Sequence, residues 1–447
     1  MPNHTLGSLL FITFTAFWAG DIAAEELSWI DQFGTAGSDF ADGVAADAEF
    51  GYGTGRVGRD LALPGQTSAG SVDAFVRKYD GAGNILWSRQ FGTSGYDGFT
   101  KVAAHDGTQY VAGVTTGTFP GQTGHGGVDT FIRSYDAEGN PGWTRQLGTA
   151  GGDFPMDVAV DDTGVYVLGF TSAVFPGQVS AGSDDFYLAR LTLEGSLLWV
   201  RQFGTGGLDP AIFTLGGVDV DATGIYVGST VPLALPGQVA LGDADAFLRK
   251  YDLDGNELWT YQFGTPCTEV LSDIDVYGGN VFLAGATTGI LDNPGFARCT
   301  SPPGNRGNSG GQGSTFVQRR SGDGALLWTE QYAGSSGLSG FTLAKGVAAN
   351  DAGVFVASEA VTRRDPRLID LECPIGRPSE DIEVRMLAND GHLVWTRQLG
   401  STASDTPSGI AVNDAGVLVA GTTDCRLEGE ASVGGRDAYT LQLAPEP

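Results

Sequence analysis

Proton transfer, nucleophilic attack and metal ligation rest mainly on histidine, cysteine and carboxylate side chains brought together in space. The chain has four histidines: His4 lies in an apolar N-terminal stretch, while His105, His125 and His392 fall in unrelated sequence contexts. No two share a spacing that makes a metal pair or a base with its partner. The four cysteines, Cys267, Cys299, Cys373 and Cys425, contain no Cys-x-x-Cys pair, so neither a zinc site nor a thioredoxin-type motif is indicated, and an oxidising compartment suits them. Alternating carboxylates before a glycine would suggest a calcium loop. The nearest approach, Asp252-x-Asp254-Gly255-Asn256, is explained by turn geometry. No residue is assigned a catalytic, metal or cofactor-binding role, and no cofactor is implied. Paired carboxylates remain the one catalytic chemistry that the composition leaves open.

The elements that would position such groups are set by a repeat. Seven tryptophans are each followed three residues later by glutamine and then by an aromatic residue or leucine: Trp29, Trp87, Trp143, Trp199, Trp259, Trp328 and Trp395. The steps between them are 58, 56, 56, 60, 69 and 67 residues. Self-similarity at a near-constant period means one supersecondary unit copied and stacked.

The second copy shows what the unit is. Lys101–His105 and Gln109–Gly113 read as short strands around an Asp106-Gly107 turn. A longer connection with Phe119-Pro120-Gly121-Gln122 leads to Asp129–Tyr135, and an Asp136–Asn140 turn leads to Gly142–Leu147 with its tryptophan. Four antiparallel strands with short hairpins, repeated seven times, predict an all-β seven-bladed β-propeller. The indoles are expected to be a main support between blades. The chain opens on a fourth-strand motif, Leu27–Phe33, and ends on a third-strand motif, Asp437–Leu443. Pairing the two would close the last blade, from about residues 408–443 plus 27–33.

The block Phe91-Gly92-Thr93-x-Gly95-x-Asp97, a Val-Ala strand, an Asp-Gly turn and Tyr110-Val111-x-Gly113-x-Thr115 before Phe-Pro resembles the bacterial seven-bladed β-propeller (SBBP) repeat. The third copy is similar throughout, from Leu147-Gly148-Thr149 to Phe175-Pro176, whereas the fifth carries Pro266-Cys267 within the block. The resemblance implies a secreted or surface propeller and no single activity. On this reading residues 1–24 are a signal peptide and 25–447 the propeller, with repeats near 29–86, 87–142, 143–198, 199–258, 259–327, 328–394 and 395–447.

Repeated polar residues have structural explanations. The glutamine lies on the outermost strand and is expected to tie loops or blades together. Arg89, Arg145, Arg201 and Arg397 share a face with the preceding tryptophan and should stack on it. Asp73, Asp129, Asp185, Asp245, Asp381 and Asp437 open third strands and should anchor turns through backbone N–H groups. Departures from the repeat are more telling. The second-to-third connections of blades 5–7, roughly 288–314, 361–380 and 423–436, are irregular, and the cysteines fall in or beside them. Two disulfides are therefore expected, Cys267–Cys299 and Cys373–Cys425.

Lys+Arg 25 against Asp+Glu 53 gives a net charge of −28, which argues against nucleic acid and anionic membrane as partners. The apolar run Leu6–Gly20 followed by Ile22-Ala23-Ala24 reads as a secretory leader, with no membrane span after its removal. The expectation is a secreted or cell-surface, monomeric, non-enzymatic scaffold whose enlarged loops of blades 5–7 meet a macromolecular partner or polysaccharide. Two alternatives stand beside it: a carbohydrate-active enzyme, glycosidase or lyase, using carboxylates at the channel mouth, and a purely structural envelope protein.

Overall fold

The computed structural model describes residues 27–209, 215–291, 299, 313–332, 343–362, 379–427 and 429–444. The proposed leader, Cys373 and most of the enlarged loops of blades 5 and 6 lie outside the described residues. Twenty-eight strands form seven four-stranded antiparallel sheets. In the second copy they run Asp97–His105, Thr108–Thr115, Asp129–Tyr135 and Pro141–Leu147. The first two are longer than the sequence pattern suggests, because pairing continues past the Val-Ala core of the strand to the Asp and Thr that flank it.

The first strand of every blade faces the axis. These inner strands are Phe40–Ala46, Asp97–His105, Asp153–Asp161, Gly216–Asp221, Glu269–Tyr277, Ala344–Asn350 and Asp405–Asn413. Each packs on the next around a closed ring. The ring closes as the termini predict: Leu27–Phe33 pairs antiparallel with Asp437–Leu443, with Phe33 opposite Ala438 and Ile30 opposite Leu441.

The interior between blades is filled by side chains of second and third strands. Tyr52, Tyr79, Tyr135, Tyr166, Tyr187, Phe75, Phe131, Phe186 and Phe247 are fully buried, and the clusters they form cross from one blade to the next. Each such ring contributes on the order of 2–3 kcal/mol. The indoles join this packing between blades, as expected, from its outer rim: Trp87 is buried and the other six are half-buried. The fourth strand is outermost, and its tryptophan packs on the next blade: Trp29 stacks on Tyr79 with ring centroids 5.1 Å apart, and Trp87 lies 6.1 Å from Tyr135.

The indoles act as clasps. Trp87, Trp143, Trp199 and Trp328 donate their Nε1–H to a backbone oxygen in the third-to-fourth hairpin of the next blade: Ala137 (2.9 Å), Leu193 (2.8 Å), Leu253 (3.2 Å) and Asn389 (3.0 Å). The glycine of that hairpin must be glycine on two counts. Gly139 has φ +75°, and a Cβ there would lie 2.6 Å from the Trp87 ring. Blade 7 has no such hairpin, because chain ends replace it, and Trp395 Nε1 finds no acceptor among the described residues.

Candidate functional site

The recurrent polar groups are tied into the scaffold, much as their spacing suggests. Gln90 Nε2 donates to Leu61 O (2.9 Å) and Asp73 Oδ2 (2.8 Å), while its Oε1 accepts from the Leu63 N–H (2.9 Å). The glutamine thus pins the second-to-third connection of its own blade. Asp73 also accepts from the Ala69 N–H, and Asp129, Asp185, Asp245 and Asp437 do the same in their blades. Arg89, Arg201 and Arg397 stack on Trp87, Trp199 and Trp395. Arg89 and Arg201 also donate to hairpin carbonyls of the next blade, Gly139 O (2.7 Å) and Gly255 O (2.8 Å). Asp252 accepts from the Asp254 and Asn256 N–H groups, which is the turn role expected for it.

The acid at or just before the start of six inner strands has a role the spacing alone did not reveal. Asp97 accepts from the Thr93 N–H (2.6 Å) and hydroxyl (2.9 Å), and the pattern recurs at Asp39, Asp153, Asp209 and Asp405. In the fifth copy Glu269 takes this place, accepting from Thr265 N–H (2.7 Å) and Thr287 Oγ1 (2.6 Å). The block is less degraded there than Pro266-Cys267 suggests. The glycine before each threonine is squeezed between two carboxylates: a Cβ on Gly92 would lie 2.7 Å from Asp73 and 2.8 Å from Asp97.

Cys267 and Cys299 form a disulfide, with Cα atoms 5.4 Å apart. The expected Cys373–Cys425 bond involves a residue outside the described set. His105 meets Asp162 of the next blade (Nε2 to Oδ1, 2.9 Å), with Asp106 3.8 Å away. His392 pairs with Asp390 on its own hairpin. Both contacts lie on the face opposite the disulfide, and His125 contributes only its backbone N–H, to Asp129.

What stands out is a ring of β-bulges on the inner strands. Pairing with the second strand is interrupted in six blades, skipping one residue between Ala41/Gly43, Pro155/Asp157, Leu271/Asp273, Ala344/Gly346 and Pro407/Gly409 and two between Gly98/Lys101. A bulge re-aims the side chain it carries. The residues so displaced include Asp42, Phe99, Met156, Ser272, Lys345 and Ser408, and all six line one cavity of about 400 Å³ on the axis. Lys101, Asp157 and Asp273, which follow the bulges, line it as well. The bulges sit near the starts of the inner strands, so the cavity lies toward the face bearing the disulfide and the second-to-third connections. The chain has only four lysines, Lys78, Lys101, Lys250 and Lys345. Lys78 and Lys250 are buried hairpin clamps; the other two reach this cavity.

Acids of the inner strands, Asp157 and Asp273 of the cavity lining among them, are heavily desolvated. Burial raises Asp157 to about 6, Asp219 to about 7 and Asp273 to about 8, and lifts Asp275 well above the usual carboxylate range. Neighbouring carboxylates push Asp219, Asp273 and Asp275 further up, while Lys101 opposes the rise at Asp157 and Asp273. All four accept a backbone N–H from the next blade: Val218 to Asp157 (3.0 Å), Val276 to Asp219 (2.6 Å), Val347 to Asp273 (3.0 Å) and Ala349 to Asp275 (3.0 Å). An aspartate on one inner strand therefore staples the next, across blades 3 to 6. Blade repetition hid these staples from the sequence, since Asp157, Asp219, Asp273 and Asp275 recur at no common position in all blades.

Seven four-stranded blades closed around this cavity define a seven-bladed β-propeller. No protein-family model matches the chain. The regulatory protein FlaEY of Caulobacter vibrioides is 25% identical over 415 residues, covering 81% of this chain and 40% of that protein. The chain thus spans about two fifths of that relative's length. Similar solved structures include an ulvan lyase bound to its saccharide (13% identity, 92% of this chain and 96% of that chain, TM-score 0.46). Another is a putative 6-phosphogluconolactonase from Bacteroides uniformis (12% identity, 88% and 100%, TM-score 0.44).

Proposed function

We propose that the chain is an exported, non-enzymatic propeller of the SBBP kind that binds a partner at the face carrying the axial cavity and the second-to-third connections. The observation that carries this reading is the use made of the cavity's acids. Asp157 and Asp273 each accept the N–H of the following blade, and Asp42 is held by Arg56 at 2.6 Å. Carboxylates committed to holding inner strands together are poor candidates for groups that must change partners during turnover. The Cys267–Cys299 bond suits an oxidising compartment, in keeping with export. The word "regulatory" in the relative's name supports an interaction role.

One observation favours a second reading, a carbohydrate-active enzyme. Asp157 and Asp273 line the same cavity and are raised to about 6 and about 8, the kind of pairing that general acid–base catalysis employs. Incubation with chromogenic glycosides and unsaturated-product assays on polyuronates separates the two. Binding without turnover is expected, and turnover abolished by both Asp157→Asn and Asp273→Asn would overturn the non-enzymatic reading.

A further inference from the structure

In a repeat protein most residues serve the fold in every copy, so a position that differs from blade to blade, yet converges with its counterparts on one cavity, is where specific recognition resides. The bulge position is such a place. Blade 2 departs furthest: its bulge is two residues wide, with Phe99 and Thr100 together opposite Gly113. Phe99 adopts φ +50°, a left-handed conformation that costs a non-glycine residue on the order of 1 kcal/mol or more. It presents its ring 52% exposed at the cavity. Within the fold its ring is met by Arg56 and Tyr96.

The surroundings of Phe99 are built. Arg56 lies between Phe40 and Phe99, 4.1 and 4.2 Å from the two ring centroids, and is ion-paired with Asp42 at 2.6 Å. Tyr96 flanks Phe99 with centroids 5.7 Å apart. Across the cavity Ser272 is 5% exposed, and neither its Oγ nor Asp42 Oδ2 has a hydrogen-bond partner among the described residues. Buried polar atoms are seldom left so. The cations nearby are already occupied: Lys345 pairs with Glu359 at 2.9 Å, and Lys101 donates to Asp42 O at 3.0 Å. The acids Asp157 and Asp273 that also line it are each engaged by a backbone N–H of the next blade, so an uncharged occupant suits the site. It offers a flat apolar face and unsatisfied groups that suit hydroxyls, in a volume at the small end of ligand pockets, roughly 300–1,000 Å³.

We propose that the axial cavity binds an uncharged saccharide, one pyranose ring lying against Phe99 with its hydroxyls on Asp42 and Ser272. The apolar C–H face of a sugar ring is complementary to the electron-rich face of an aromatic side chain. Its hydroxyls both donate to Asp42 Oδ2 and accept from Ser272 Oγ. This rests on the binding-scaffold reading but fails separately from it.

The test is saturation-transfer NMR and calorimetry on the full chain with cellobiose, maltose, lactose and N,N′-diacetylchitobiose, and with digalacturonate as the charged control. At least one neutral disaccharide should bind. Phe99→Ala should weaken it tenfold or more, Asp42→Asn and Ser272→Ala severalfold, and Phe99→Trp should retain it, with thermal melting checking that each variant is folded. Absence of binding by all four neutral sugars at 10 mM, preference for digalacturonate, or undiminished binding by folded Phe99→Ala would each overturn the proposal. Cleavage of a bound sugar would overturn the non-enzymatic reading while leaving the site in place.

Discussion

Gln32 Nε2 donates to Asp437 Oδ2 at 2.8 Å across 405 residues of chain. The same amide donates to Cys425 O (3.0 Å), and Gln32 Oε1 accepts from the Leu427 N–H (2.8 Å). In blades 1–4 the equivalent contacts are local, joining residues of one blade that follow one another in the chain. In blade 7 they hold the two ends of the molecule together, beside six residue pairs of β-ladder between Leu27–Phe33 and Asp437–Leu443.

Deleting Leu27–Phe33 should therefore lower the melting temperature by about 10 °C or more, because it opens the ring and leaves the third strand of blade 7 as a bare edge. Gln32→Ala should cost about 1–3 kcal/mol, since it leaves buried Asp437 and the Leu427 N–H short of partners. Melting followed by circular dichroism checks both, and an unchanged deletion variant would show that the ring does not depend on this strand.

Two glycines of like backbone, one in a hairpin and one in a second-to-third connection, give a paired comparison. Gly139 and Gly121 have nearly the same φ, +75° and +76°, but a Cβ on Gly139 would strike the Trp87 ring at 2.6 Å, whereas nothing lies within 4 Å of one on Gly121. Gly121→Ala should cost only the conformational term, about 1 kcal/mol. Gly139→Ala adds overpacking and should cost about 1–3 kcal/mol more. Equal losses in denaturant titration would mean that the Trp87 clasp yields freely.

Repetition explains what the sequence revealed and what it hid. Trp87, Gln90, Asp73 and Asp97 recur at fixed offsets in most blades, so periodicity exposes them, although the role of Asp97 is visible only in the structure. The closing strand was legible for the same reason: Leu27–Phe33 is a fourth strand lacking its first three. Period says which residues recur and not how deep each lies: the indoles join blades from the rim, while Tyr166 and Phe186 are completely buried. The cavity was illegible because Asp42, Phe99, Met156, Ser272, Lys345 and Ser408 share only a position, a displaced residue shortly before a Val-Ala, Ile-Ala or, in blade 5, Ile-Asp step. A bulge leaves no compositional mark.

The disulfide should matter most in blade 5. Cys267 is buried beside Thr265 and Glu269, and its bond to Cys299 closes a loop with a separation of 32 residues. Replacing both cysteines by serine should cost about 2–4 kcal/mol, read as a lower denaturation midpoint. Peptide mapping without reduction should recover Cys267–Cys299, and the same digest examines Cys373–Cys425; a crossed pairing would contradict the loop arrangement expected for blades 5–7.

Stability should depend on pH through the staples between inner strands. Asp157, Asp219 and Asp273 are raised by burial from an ordinary 3.8 to about 6, 7 and 8. The folded chain then binds protons that the unfolded chain releases between about pH 4 and pH 8. Their contribution is fully present below pH 4 and is lost as pH rises through the folded values, after which it levels off. The melting temperature at low ionic strength should fall from pH 5 to pH 8.5 on this account. Asp273→Asn, neutral at every pH and still able to accept the Val347 N–H, should flatten that fall and raise stability at pH 8.5 relative to the unaltered chain. A slope unchanged by Asp273→Asn would mean that this carboxylate stays ionised against the next blade, and the Lys101 ammonium, not protonation, would then be what compensates its burial.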